Sequence, residues 1–516
     1  MRYYESNIII KFLFNEINCY EKKLKMTRLL TFFDFILSKV EYKLIRPLKC
    51  IERQISMNLQ EAGIDTRPAN SNGLWCHLLL PTVLLVYTCF DNVTLLYKIT
   101  SLISIGLLCY CVLFILFLTT SSVVLKEPIY AGCLASSIIS AVLLNFCLGQ
   151  GLLFSISVTF SSTILFACVL RLCITKCQKT FTVGEAMIVS QSMVLFTVMS
   201  VIKFLFEMHS DDKEMEFISL IFYTILSTVG LIVTALYFLK DSQRNLRTLV
   251  YIVGSAIVFV LLILHSLFGP NFVTIILNYV FVKQNRVQIF IFWLILLILA
   301  ICALLVRTKL AIKASTVTRK TFHVLASLVF LSGIMFDIYL MTFAAGIGLG
   351  VLIFVEALRK SSIEPISSAL QSAFLVYSDE KDCGLFAMTP LYLYVGLAFP
   401  LLVVPNRENR QLELLSGVLS IGIGDTAASW FGSRFGFNKW PDSSRTLEGT
   451  LFNVLSQIGT VYALELFGVL HNSHALLRGA VCACAAAALE ARTAQVDNLV
   501  LPLAALVALQ AARLLC

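Results

Sequence analysis

The sequence predicts an all-α, polytopic helical membrane protein with about 15 transmembrane helices. Three observations carry that expectation. Of 516 residues, 58% are hydrophobic and only 14% charged, and the mean hydropathy is +0.86, far from the balance of a soluble domain. The apolar residues fall into runs of membrane-crossing length. The charged residues gather between those runs. The net charge of +9 therefore reads as membrane orientation, with membrane lipids as surroundings and no nucleic acid as partner.

The chain divides accordingly. Residues 1–73 carry twelve Lys or Arg against eight Asp or Glu and read as a basic, partly helical cytosolic extension. Ile8 to Phe14 is too short and too interrupted by Lys11 for a signal peptide, and Thr31 to Leu37 is a candidate surface-lying segment. Apolar runs follow at 74–90, 93–118, 130–148, 151–170, 185–206, 217–239, 248–268 and 287–306. Further runs cover 324–340, 341–357, 384–404, 412–431, 450–470, 475–489 and 498–515. Phe272 to Val282 is too short to span and is expected to be luminal or re-entrant. Gly346, Gly348 and Gly350 in Met341–Leu352 suit close helix packing or a groove for a lipid chain. The sixteen cysteines lie mainly within apolar runs, without a CxxC, and read as buried free thiols.

With the basic N-terminus in the cytosol, alternation puts the loops containing Arg171, Lys176 and Lys179, Lys240 to Arg247, and Arg307 to Lys320 on the same side. The acidic segment Glu207 to Glu216 falls opposite. Five polar clusters of the last 200 residues share the basic side. Arg319-Lys320-Thr321-Phe322-His323 precedes a membrane helix, and Glu356 with Arg359 ends one. Asp379 and Asp382 lie in Ser378 to Gly384, three apart and able to share a cation in a helical turn. Glu490 and Asp497 precede the last apolar run, about two helical turns apart. His323 can bind phosphate or move a proton, or simply cap the helix. Arg319 and Lys320 can equally be ordinary orientation-setting cations.

The fifth cluster organises the rest. From Gly422 to Thr450 five glycines stand among three carboxylates and three cations. Gly422 and Gly424 can let backbone approach a phosphate. Arg434, Lys439 and Arg445 can neutralise a polyphosphate, and Asp425 and Glu448 can hold a divalent cation or orient a hydroxyl. A glycine-rich helix contact followed by a basic loop is the plainer reading. It leaves Asp425 unexplained, because a carboxylate beside an apolar helix is costly without a partner or a task.

Gly424-Asp425-Thr426-Ala427-Ala428-Ser429, Gly432, Gly436, Trp440-Pro441 and Arg445-Thr446-Leu447-Glu448-Gly449-Thr450 closely resemble the CTP-binding stretch of dolichol kinases. The Arg319 to His323 element, the segment Asp379 to Gly384 with Thr389 to Leu393, and Glu490, Thr493 and Gln495 to Leu503 resemble the family's other elements, in the family's order. The likeness covers roughly residues 315–503. It implies N-terminal transmembrane helices over 74–306 and a catalytic region over 307–516, with a cytosolic CTP-binding loop at 422–450.

The resemblance implies transfer of the γ-phosphoryl group of CTP to dolichol at the cytosolic face of the endoplasmic reticulum membrane. The products would be CDP and dolichyl phosphate, the carrier for N-glycosylation, mannosylation and GPI-anchor synthesis. On this reading the expected CTP contacts are Gly422, Gly424, Thr426, Gly432, Arg434, Gly436, Lys439, Arg445, Arg319 and Lys320. Asp425, with Asp382, would hold a divalent cation, Mg2+ being the expected one. Glu448, Asp382 or Asp497 would orient or deprotonate the alcohol, and His323 completes the catalytic set. A related pattern in phosphatidate cytidylyltransferases makes attack on the α-phosphate the alternative, beside a CTP-dependent kinase of another lipid alcohol. A transporter fits less well, because the polar residues gather at one interface and no internal repeat is present.

Overall fold

The computed structural model describes residues 46–515, apart from Pro128, 206–211, 283–285, 311–315, 379–380, Asn406, 408–409, Asp442 and 472–473. Ile8 to Phe14, Thr31 to Leu37, Asp379 and part of the acidic 207–216 segment lie outside the described residues. Among those described, the chain is helical throughout, with one isolated bridge between Lys439 and Thr446 and no strand.

Helices of ten residues or more are numbered along the chain. The first half comprises α1 (Arg46–Glu61), α2 (Leu79–Phe90), α3 (Leu95–Thr120), α4 (Tyr130–Leu148), α5 (Leu152–Thr175), α6 (Val183–Leu205), α7 (Lys213–Phe238), α8 (Leu246–Phe268), α9 (Phe272–Phe281) and α10 (Arg286–Leu310). The second comprises α11 (Thr316–Phe336), α12 (Ile338–Lys360), α13 (Ile366–Tyr377), α14 (Met388–Val403), α15 (Thr426–Phe435), α16 (Leu447–Leu466), α17 (Ala475–Arg492) and α18 (Asp497–Leu515).

Ten of these, among the described residues, are long and apolar enough to cross a membrane. The other five expected spans correspond to shorter or more polar helices. α2 and α14 are short. α16 carries Asn453 and Gln457, and α17 carries Arg478 and Glu490, all buried. The run 412–431 is broken. Gln411–Leu414 gives way to a π-helical stretch, Val418–Asp425, before α15 begins. Apolar length alone could not show that break. α1 and α13 were not anticipated as separate helices.

One apolar core runs from Ile55 to Leu509, and smaller clusters surround α7 with α8, α9 and α12. α8 and α10 bury little of their apolar surface, as peripheral helices facing lipid would. The three glycines of α12 serve packing: Gly346 lies against Phe222, Gly348 against Tyr394 and Gly350 against Ile225. The segment after residue 45 is built into the body. Ile55 and Leu59 of α1 are buried, and Asn58 Nδ2 donates to the carbonyl oxygens of Leu118 at 2.7 Å and Thr119 at 3.1 Å.

α11 crosses the π-helical stretch and α15, while α15, α16, α17 and α18 pack in sequence and α18 returns against α14. At one end of this bundle a buried ion network fixes α2, α17 and α18. Arg410 and Arg513 meet Asp91, and Arg478 meets Glu413. The opposite end bears the loop before α6, the start of α11 and the start of α18. The segment after the basic residues 171–179 meets two of the C-terminal polar clusters there, Thr180 Oγ1 accepting from Leu385 N and Thr182 Oγ1 donating to Gln495 Oε1.

Candidate active site

α11 contributes Arg319, Lys320 and His323 within one turn. His323 is buried, with its backbone inside the helix. The π-helical stretch ends on Asp425, which is also buried, and Lys320 Nζ forms an ion pair with Asp425 Oδ2. A π turn widens the helix and tends to occur where a side chain is being aimed. Here the widened segment passes between two helices. Gly422 lies against the Ser327 side chain of α11, and Gly424 against Asn453 and Gln457 of α16.

Arg445 comes from the loop before α16. Its Nη2 donates to both carboxylate oxygens of Asp497 at 2.9 Å, and Nη1 lies 3.9 Å from Glu490 Oε1. Burial alone would lower the guanidinium pKa. Asp497 and Glu490 outweigh burial and raise it, so the charge is permanent. Lys381 Nζ approaches Asp497 Oδ2 at 3.5 Å and the Gln495 carbonyl at 3.3 Å. Glu490 Oε2 accepts from Asn453 Nδ2, and Asn453 Oδ1 accepts from Gln457 Nε2.

The charged groups line one cleft of 620 Å³, in which four cations (Arg319, Lys320, Lys381 and Arg445) face three carboxylates (Asp425, Glu490 and Asp497). Two helix N-termini border it. α16 contributes Gly449 and Thr450, and α18 contributes Asp497 and Asn498. Exposed N–H groups and the helix dipole favour an anion at such positions. Thr446 caps α16 by accepting from the Gly449 N–H at 3.1 Å. The net effect is a cleft in which cations outnumber the carboxylates held among them.

The expected site residues divide. Arg319, Lys320, His323, Asp425, Gly432, Arg445 and Asp497 all line the cleft. Gly436 packs beside it, against the Gly432 carbonyl and Thr446. Gly422 and Thr426 face a neighbouring apolar groove, and Gly424 packs against α16. Arg434 is exposed and stacks over Trp430, its guanidinium carbon 4.1 Å from the ring centre. Lys439 is exposed and bridges backbone to Thr446.

Glu448 faces the loop before its own helix. It accepts from the N–H groups of Phe437 and Asn438 at 3.2 Å and from Asn438 Nδ2 at 2.7 Å. Its own backbone N–H and these donors hold its carboxyl below the usual range. Asp382 Oδ1 accepts from Thr389 N at 3.0 Å, at the start of α14, outside the cleft lining.

Sequence reasoning missed several participants. Lys381 is inside the cleft, although Asp382 was the residue singled out. Asn453 and Gln457, four apart in an apolar run, carried a usable signal. The N-terminal half also contributes. Arg67 forms a buried bidentate pair with Glu185 (Nη2–Oε1 2.7 Å, Nε–Oε2 3.0 Å) and donates to the Ala494 carbonyl at 3.2 Å. Glu185 Oε1 also accepts from Val496 N at 2.9 Å, and Thr182 Oγ1 donates to Gln495 Oε1 at 2.6 Å. These contacts brace the strand of chain that delivers Asp497. No residue-type pattern reveals a pairing across 118 positions.

A divalent cation fits the donors in a limited sense. No cluster of three His, Cys, Asp or Glu able to hold a metal occurs among the described residues. Mg2+ does not require one, because it is commonly bound by one or two carboxylates together with substrate phosphates and water. Asp425 is one carboxylate of that kind among the residues lining the cleft.

Fold and cleft together define a polytopic helical membrane protein with a charged cleft at one end of its bundle. A family profile described as dolichol kinase matches residues 104–392, more than half of the chain, and the chain belongs to the dolichol kinase family. The match reaches well into the N-terminal half, beyond the motifs of residues 315–503. The dolichol kinase of Homo sapiens is 30% identical over 358 residues, covering 64% of this chain and 65% of the human protein. The match thus spans just under two thirds of that relative's length. Dolichol kinase EVAN of Arabidopsis thaliana is 27% identical over 234 residues, covering 44% of this chain and 41% of its own. The dolichol kinase of Saccharomyces cerevisiae is 26% identical over 238 residues, covering 45% and 44%. No solved structure matches the chain.

Proposed function

We propose that this protein is a CTP-dependent dolichol kinase of the endoplasmic reticulum membrane, with its active site facing the cytosol. The observation that carries the reading is the cleft itself: four cations and three carboxylates between two helix N-termini, at the end of a membrane-type bundle. A nucleotide cannot enter the bilayer and a polyprenol cannot leave it, so the two must meet at an interface. Family membership and the printed names of the relatives supply the acceptor. The likeness of Gly424 to Thr450 to a CTP-binding stretch supplies the donor.

Phosphoryl transfer needs positioning and charge neutralisation more than covalent help from protein. In this reading Arg319, Lys320 and Arg445 bind the triphosphate at the N-terminal end of α18, beside Asn498. Asp425 would hold a divalent cation, which supplies further charge neutralisation at the phosphates. The alcohol oxygen forms a bond to the γ-phosphorus as the bond to the β,γ-bridging oxygen breaks, and CDP departs. The hydroxyl proton passes to a carboxylate. Of the three considered from sequence, only Asp497 lines the cleft, and Arg445 and Lys381 hold it as an ionised, weakly basic group. Glu490, between Asn453 and Arg445, is better placed as the base, with Asp497 orienting Arg445. The dolichyl phosphate formed would serve N-glycosylation, mannosylation and GPI-anchor synthesis.

Purified protein given dolichol, divalent cation and CTP labelled at the γ-phosphate should yield labelled dolichyl phosphate and CDP. Pyrophosphate release with phosphatidic acid, and no transfer to dolichol, would replace this reading with cytidylyl transfer.

A further inference from the structure

An apolar groove of 400 Å³ lies against the cleft, and its geometry assigns it an occupant. α15 separates the two cavities by its periodicity. Asp425, Ala428, Ser429 and Gly432 face the cleft, while Thr426, Ala427, Trp430 and Phe431 face the groove. α11 connects them. Lys320 and His323 line the cleft, and Val324, Ser327, Leu328 and Leu331 continue the same helical stripe into the groove. From Lys320 to Leu331 that stripe descends about 16 Å, from the charged end toward the middle of the bundle. Its rim is open, with Val324 and Leu328 both exposed where a bilayer would lie.

The groove also contains an unmet polar group. Ser327 is buried, and its Oγ has no hydrogen-bond partner. A helical serine ordinarily folds back onto the carbonyl four residues earlier. That hydroxyl lies against Gly422 at the inner wall of the groove, one turn below His323.

We infer that this groove seats the hydroxyl-proximal isoprene units of the acceptor alcohol. The chain enters between α11 and α15, and its hydroxyl passes Ser327 to reach the cleft beside Asp425. The inference rests on the kinase reading for the identity of the alcohol. The site itself rests on the stripe that joins a lipid-facing groove to a charged cleft. The remainder of a long polyprenol stays in the bilayer, so the groove selects the head of the chain and is indifferent to its length.

The test uses the full chain in nanodiscs and a polyprenol with a photoreactive group in the isoprene unit next to the hydroxyl. Cross-links should map to residues 324–331 and 423–431, be competed by unmodified polyprenol, and resist excess phosphatidylcholine. Leu328→Trp, which adds bulk at the open rim, should lower cross-linking and raise the KM for the alcohol about tenfold, leaving the KM for CTP unchanged. Val324→Trp provides the same test if Leu328→Trp does not fold. Cross-links elsewhere, equal competition by phosphatidylcholine, or folded Trp variants with unchanged labelling would each overturn the proposal. Cross-linking in the groove by protein that transfers no phosphoryl group would retain the polyprenol site and end the kinase reading.

Discussion

Arg445 and Arg434 stand eleven residues apart in one basic loop, and the structure gives them different work. Arg445 is half-buried, clamps Asp497 through two 2.9 Å hydrogen bonds and lines the cleft. Arg434 stacks on Trp430 in solvent. Removing a preorganised charge from a water-poor site is costly in a transition state, whereas an exposed stacked cation contributes little. Arg445→Ala should therefore lower phosphoryl transfer by about 10²–10³-fold. Arg434→Ala should stay close to the parent rate. Steady-state assays of both variants at matched expression check this, and equal losses in the two would remove the distinction. Asp425 was legible in the sequence because a carboxylate beside an apolar run demands a partner, whereas Lys320, Arg445 and Asp497 stood out only through the motifs around them. Glu448 and Asp382 carried the same signal, yet both are engaged by backbone N–H groups outside the cleft. Residue type does not distinguish a carboxylate that serves a substrate from one that serves a turn.

At the scale of elements, the helical runs were legible because membrane length and apolarity are redundant over twenty residues. The break at 412–431 was not. Its cause is local packing, because the π-helical stretch must pass between α11 and α16 while turning Asp425 toward Lys320. Glycine at 422 and 424 was legible as a requirement for close approach, but not for approach to what. The structure places helix neighbours there: Ser327 for Gly422, and Asn453 with Gln457 for Gly424. A side chain at position 424 must displace the amide pair that supports Glu490. Overpacking of this kind costs about 1–3 kcal/mol. Gly424→Leu should accordingly lower the thermal unfolding midpoint in detergent and abolish transfer through a misplaced cleft, while a conserved midpoint would argue for a ligand-facing glycine.

The whole molecule depends on contacts that no local pattern announces. Arg67 and Glu185, both buried, join the start of the chain and α6 to Ala494 and Val496, just before Asp497. Removing one partner leaves a buried charge unpaired, at a cost of about 3–5 kcal/mol. Glu185→Ala should therefore destabilise the protein by that order in thermal unfolding, and a midpoint equal to the parent's would show the brace to be dispensable. The same architecture puts the cleft at a single end of the bundle, where a soluble nucleotide and a bilayer alcohol can meet. The most direct measurement places a cysteine at Ser433, which lines the cleft and bonds only to its own helix. In sealed vesicles with the cytosolic face outward, a membrane-impermeant maleimide should modify the peptide carrying Ser433→Cys, and CTP with Mg2+ should protect it. Modification only after the vesicles are permeabilised would contradict the cytosolic cleft, and modification that CTP leaves unchanged would contradict the cleft as the nucleotide site.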